Sequence, residues 1–232
     1  MAHRNTGGRT APMSSPSPND RACFDPARGS LSICVFCGSS PGTNTAYSEA
    51  ARELGRLIGE RGHRLVFGGG FVGLMGELAR AASEAGAPII GVLPEFLRHV
   101  EPPRELLEEL FITEDLQVRK ARMIELADAF VILPGGMGTM DEYFEVVTTA
   151  QLATHRKPIV LIDVNGYFKP LDDLIRHIVS HGFASESSLS LHKVVDGPQA
   201  AIAAIVDRGA SAPHARLKAR GPGEPPLERH DE

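Results

Sequence analysis

The sequence predicts an α/β domain with a three-layer, mostly parallel, Rossmann-like sheet and helices on both faces. Three observations predict it. Short apolar runs alternate with segments of helical period, the pattern of βα units that feed a parallel sheet. The runs are nearly continuous in apolar residues, as in strands covered on both faces. Each run is bounded by Gly, Pro or Asp, which punctuate the chain between elements. With 232 residues, the chain has room for one such domain plus tails and can bury a core without staples.

The elements follow in order. Residues 1–30 are rich in Pro, Ser, Arg, Gly and Asn without periodicity, and read as a disordered arm. A strand is expected over 31–37, then a helix over 45–61, where Ala50, Leu54, Leu57, Ile58 and Arg61 share a face. A strand at 64–67 runs into Gly68-Gly69-Gly70 and a helix at 74–85. Further strands are expected at 88–93, 129–133 and 158–162, and helices at 115–127, 139–152 and 168–180. From about 209 to 232 the chain turns polar again, with Gly221-Pro222-Gly223 and Pro225-Pro226, and reads as a disordered tail. The catalytic domain is therefore placed at 31–208.

Composition narrows the function. A net charge of −5 argues against a general nucleic-acid binder, which shows a basic excess. No apolar run approaches the roughly 18 residues of a membrane span. Pro, Ser and Asn stand where a signal peptide needs an apolar stretch, so a cytoplasmic protein without membrane or nucleic-acid partners is expected. Cys23, Cys34 and Cys37 fit a reducing compartment. Cys34 and Cys37 form a C-x-x-C, yet they lie in one extended apolar run. Three strand steps separate them by roughly 10 Å, beyond disulfide reach, and they read as small buried hydrophobes.

In open α/β sheets, ligands bind beyond the carboxyl ends of the strands. Three of these ends are rich in glycine: Gly38 to Gly42, Gly68 to Gly76, and Pro134 to Gly138. A glycine-rich turn before a helix exposes backbone N–H groups at a positive helix end, which suits an anion. No G-K-[ST] follows the glycines, so this is not a Walker loop. No G-x-G-x-x-G follows the first strand and no acidic residue closes the second, so a dinucleotide fits poorly and a mononucleotide better. No H-E-x-x-H, EF-hand loop or Cys/His cluster appears, and no metal is expected. Arg119-Lys120 open one helix against its dipole, which asks for a functional reason, although a solvated basic face is an equal reading. Asp141-Glu142 follow the last glycine loop, where dipole complementation is the plain reading.

Pro134-Gly135-Gly136-Met137-Gly138-Thr139-Met140-Asp141-Glu142 resembles the P-G-G-x-G-T-x-x-E signature of the LONELY GUY family. These are cytokinin riboside 5′-monophosphate phosphoribohydrolases, often labelled lysine decarboxylase-like. Decarboxylation needs an electron sink such as pyridoxal phosphate with its lysine, and nothing in the sequence suggests that site. The similarity runs from Ser32 to about Val206. It includes Cys37-Gly38-Ser39-Ser40, the Gly68 to Gly76 loop, Gln151-Leu152, His155, Lys157-Pro158 and Asn165-Gly166-Tyr167.

The resemblance implies hydrolysis of a nucleotide N-glycosidic bond without a cofactor, by a homodimer. It assigns catalysis to Arg119 and Glu142. It assigns substrate contacts to Glu101, Arg119, Lys120, Gly135, Gly136, Met137, Gly138, Thr139, Met140, Asp141 and Thr148. Thr148 lies seven residues after Asp141, on the same helix face. Three positions depart from the family pattern: Gln117 replaces a histidine, Asp141 replaces a glutamate, and Thr149 replaces a tryptophan. Two other readings stand beside this one: a broader purine nucleotide nucleosidase, and a nucleotide-binding sensor or carrier without turnover. For the dimer, Phe144 and Val147 on the helix after the signature are candidates for the interface and equally for the core.

Overall fold

The structure, a computed structural model, describes residues 29–100 and 103–209. Apart from residues 29, 30 and 209, the expected arm and tail lie outside them, as do Cys23 and Glu101. In order, the elements are β1 (Ser32–Phe36), α1 (Thr45–Glu60), β2 (Arg64–Phe67), α2 (Gly73–Glu84), β3 (Ile89–Pro94), β4 (Glu109–Thr113), α3 (Leu116–Leu126), β5 (Ala129–Ile132), α4 (Met137–Gln151), β6 (Ile159–Ile162), α5 (Lys169–Ser180), β7 (Lys193–Val195) and α6 (Pro198–Gly209), with short 3₁₀ turns between some of them.

The seven strands form one sheet in the order β4-β3-β2-β1-β5-β6-β7. Every pairing is parallel, which goes beyond the mostly parallel sheet expected. Alternate strand residues face opposite layers. Ile33 and Val35 join Leu54, Ile58, Leu78 and Ile202, the layer of α1, α2 and α6. Cys34 and Phe36 join Met123, Tyr143, Val146 and Ile175, the layer of α3, α4 and α5. Both faces of the sheet are therefore covered, and the strands read as continuous apolar runs for that reason.

Three elements escaped the sequence reading. β4 is an edge strand that opens on an exposed glutamate, and its middle residues are only half-buried. β7, at the other edge, has three residues, two of them exposed. Short, partly exposed edge strands carry a weak apolar signal. α6 does carry one: Ala201, Ile202, Ala204 and Ile205 are buried at helical spacing. In α1, Arg61 leaves the apolar face; it is the exposed C-cap, and Ala51 is buried instead.

The direction of chain winding reverses between β1 and β5. A crevice opens at such a reversal, beyond the carboxyl ends of the two strands. The loops that leave these two strands meet there, and the Gly38 N–H donates to the Pro134 carbonyl at 3.0 Å.

Candidate active site

Arg119 and Glu142 are far apart in sequence and come together at this edge. α3 begins where Asp115 caps it, its carboxylate accepting from the Gln117 and Val118 N–H groups at 2.8 Å. The cap satisfies the first turn, and Arg119 and Lys120 stand at the fourth and fifth positions, where the dipole has already fallen off. One turn on, Arg119 reaches across the ends of β3 and β2. Its Nε donates to the Val92 carbonyl at 3.0 Å and its Nη2 to the Gly68 carbonyl at 3.4 Å. The remaining Nη1 donates to Glu142 Oε1 at 2.8 Å. Gly68 makes room for this: a Cβ there would lie 2.0 Å from Arg119 Nη2. Three acceptors on three elements thus fix one guanidinium.

Glu142 is buried. Burial pushes its carboxyl above the ordinary glutamate range, while Arg119 pulls it back down. In the sequence, its place near a helix end and cationic residues suggests a carboxylate that stays ionised; burial works against that and is the larger influence. α4 starts at Met137, two residues earlier than expected, so Asp141 and Glu142 stand in its second turn. The dipole falls off within the first turn. Dipole complementation therefore does not explain the acid pair.

Lys120 is also buried, with its Nζ 3.0 Å from Asp141 Oδ2 and 3.1 Å from Glu145 Oε2. Burial works to lower its pKa, but the two carboxylates outweigh this and hold it above the ordinary lysine value. The equal reading of a solvated basic face is thereby excluded for this pair. Glu145 was missed in the sequence, although it lies one turn after Asp141 on the same face of α4.

The three glycine loops do different work. The Gly38 carbonyl accepts from the Leu74 and Met75 N–H groups at 3.0 and 3.4 Å, which closes the amino end of α2. The Gly68 to Gly76 loop therefore packs on the first loop and holds Arg119; its helix end is occupied. α4 differs, since its N-cap is Gly136 and no side chain caps it. Gly135 is needed for packing: a Cβ there would lie 2.1 Å from Thr139 Oγ1. Gly136 and Gly138 are exposed, and a Cβ at either would meet nothing within 4 Å. Neither has a positive φ. Contacts among the described residues give no reason for glycine at these two positions.

Met137 is almost fully exposed and Thr139 is buried. Met140 is half-buried behind them. Thr148 is exposed on α4, and the hydrogen bonds and ion pairs among the described residues do not join it to Arg119, Lys120 or Glu142. Cys34 and Cys37 are both buried free thiols, and burial pushes both well above the usual thiol range, which fits small core residues and not a redox pair.

Comparison with known proteins matches this arrangement to a family. Residues 75–205 match the family model described as possible lysine decarboxylase. A cytokinin riboside 5′-monophosphate phosphoribohydrolase of Rhodococcoides fascians is 45% identical over 75% of this chain and 88% of its own length. The rice (Oryza sativa subsp. japonica) enzyme of that name, LOG, is 42% identical over 72% of this chain and 69% of its own.

The chain belongs to the LONELY GUY family.

Solved structures of more distant proteins share the LONELY GUY fold. The molybdenum cofactor binding protein of Rippkaea orientalis superposes with a TM-score of 0.60 at 20% identity, covering 77% of this chain and 97% of that one. The Moco carrier protein of Chlamydomonas reinhardtii gives 0.56 at 25% identity, over 78% and 98%. Other LONELY GUY positions found in the sequence have structural work here. Lys157 Nζ donates to the Ile124 carbonyl at 2.7 Å, at the carboxyl end of α3. The His155 ring is buried, with Nε2 3.0 Å from the Val146 carbonyl and Nδ1 accepting from the Lys157 N–H.

Proposed function

We propose that this protein hydrolyses the N-glycosidic bond of cytokinin (N6-substituted adenosine) 5′-monophosphates, releasing the free base and ribose 5-phosphate. The observation that carries this reading is the pair of half-buried Arg119 and buried Glu142 beside the uncapped amino end of α4, at the reversal point of the sheet. The identity of 42–45% to enzymes named for this reaction supports it.

The chemistry suits the residues. Breaking C1′–N9 builds positive charge on the ribose, as in glycoside cleavage. Water adds its oxygen to C1′, the bonding pair leaves with the base, and one water proton ends on the base. Glu142 supplies negative charge to the developing cation and takes the proton of the attacking water. Burial favours the second task, because a carboxylate with a raised pKa is the stronger base. Arg119 holds Glu142 in place and adds positive charge near the phosphate. The N–H groups at the start of α4, from Gly136 onward, bind the phosphate, and Thr139 completes the turn. Lys120, tied to Asp141 and Glu145, sets α3 against α4; the family resemblance supports substrate contact by Lys120, Met137, Met140, Thr148 and Glu101.

Incubation with AMP and with isopentenyladenosine monophosphate, followed by assay of free base and ribose 5-phosphate, tests the proposal. Release from the isopentenyl substrate at higher kcat/KM is expected. Preference for AMP would replace it by a general purine nucleotide nucleosidase. Tight nucleotide binding with no release from either would replace it by a carrier.

A further inference from the structure

The loop that opens α4 is held at Pro134 by the Gly38 N–H and at Gly135 by a side-chain hydroxyl. Tyr167 O–H donates to the Gly135 carbonyl. Tyr167 lies between β6 and α5, and the chain bends sharply to deliver it. Asn165 and Gly166 both take left-handed backbone, with φ of 56° and 75°. Asp163 locks the bend on its far side, where its Oδ1 accepts from the Phe168 N–H at 2.8 Å. The Tyr167 ring stands edge-on to Tyr47 at 5.8 Å and to Phe168 at 5.1 Å. The hydroxyl is therefore presented by a braced element, not by a wandering side chain.

Its partner is informative. The Gly135 carbonyl belongs to the peptide unit that also carries the Gly136 N–H. That unit is planar and trans, so its carbonyl and N–H point in opposite directions. Holding the carbonyl toward Tyr167 turns the Gly136 N–H the other way. Gly136 is exposed, and no side chain caps the helix there. Without Tyr167 the Gly135 carbonyl loses its hydrogen bond in a glycine-rich turn, where backbone freedom is greatest.

We infer that Tyr167 is a positioning residue that sets the Gly135–Gly136 peptide so that the Gly136 N–H is directed at the phosphate of the bound nucleotide. The inference rests on the phosphate-binding role proposed for this loop. Tyr167 touches neither the reacting atoms nor the Arg119–Glu142 pair. Its effect is on the phosphate-dependent part of binding, which separates it from a residue that only supports the fold.

The test compares the full-length wild type with Tyr167→Phe, which keeps the ring packing and removes one hydroxyl. AMP and adenosine serve as calorimetric probes, differing only in the phosphate. In the variant, AMP binding should weaken by roughly 3- to 10-fold, the range one neutral hydrogen bond supports, with adenosine binding unchanged. KM for isopentenyladenosine monophosphate should rise by a similar factor while kcat holds. Unchanged AMP binding would overturn the inference, as would equal weakening of AMP and adenosine. If the wild type binds AMP but hydrolyses no nucleotide, the enzymatic reading fails while the AMP–adenosine comparison still decides the role of Tyr167. If the wild type does not distinguish AMP from adenosine, the phosphate site and the role of Tyr167 fall together.

Discussion

Replacing Glu142 with Gln keeps the shape of the side chain and removes its charge. The introduced glutamine retains an amide oxygen that can accept from Arg119 Nη1, and the Val92 and Gly68 carbonyls still hold the guanidinium, so its position should survive. The lost charge is the one that faces the developing cation and accepts the water proton. A positioned acid–base group contributes about 10²- to 10⁴-fold to the rate, which corresponds to roughly 2.7–5.4 kcal/mol of transition-state stabilisation. Turnover of isopentenyladenosine monophosphate should fall by that factor, with nucleotide binding largely kept. Stability supplies a second, independent readout. The folded pKa of Glu142 is raised above its unfolded value, so the native state holds that proton more tightly than the unfolded chain. This contribution favours folding below the unfolded value, about pH 4.3, and is lost as pH rises through the folded value. The variant has no such proton. The stability of wild type relative to Glu142→Gln, from urea unfolding, should therefore decrease between pH 4 and pH 7. Any fixed cost of leaving Arg119 without its counter-charge appears equally at both pH values and cancels. Near-normal turnover in the variant would refute the role of Glu142 in the chemical step. An increase in relative wild-type stability with pH would refute the argument from burial.

Gly68→Ala places a Cβ where Arg119 Nη2 now lies, 2.0 Å away. The guanidinium must move while the fold is kept, and kcat/KM should drop roughly 10²-fold, the cost of an ångström-scale misplacement; an unaltered kcat/KM would count against the role of Arg119. Gly136→Val meets no atom of this chain within 4 Å of its Cβ, so melting should be unaffected. KM for monophosphates should rise roughly 10- to 100-fold, the worth of a charge-assisted hydrogen bond, and equal losses with the unphosphorylated riboside would show that the loop does not bind phosphate. We also propose a homodimer with Phe144, exposed on α4, at the interface; Val147, the other candidate, is half-buried against the core. Light scattering at micromolar concentration should give the mass of two chains, and a monomer would remove this proposal.

The sequence by itself determined the layered α/β architecture and most of its elements. Buried strands such as Ile159–Ile162 announce themselves because both of their faces must be apolar. It also determined the chemical group, since Pro134 to Glu142 is contiguous and its glycines can be read directly. It did not show β4 or β7, because an edge strand meets water on one side and loses the apolar signal. Pairing across the chain was beyond it as well. Arg119 meets Glu142, and Tyr167 meets Gly135, only because parallel strands β5 and β6 stand side by side and α3 packs against the same face of the sheet. The tertiary structure likewise decided which glycine loop leaves its helix end uncapped. By composition the α2 and α4 loops are alike, but the Gly38 carbonyl closes the end of α2 and leaves α4 without a cap. The protonation of Glu142 followed the same rule. Arg119 favours the charged form and burial opposes it, and burial is the larger influence on a carboxyl that only the tertiary structure encloses.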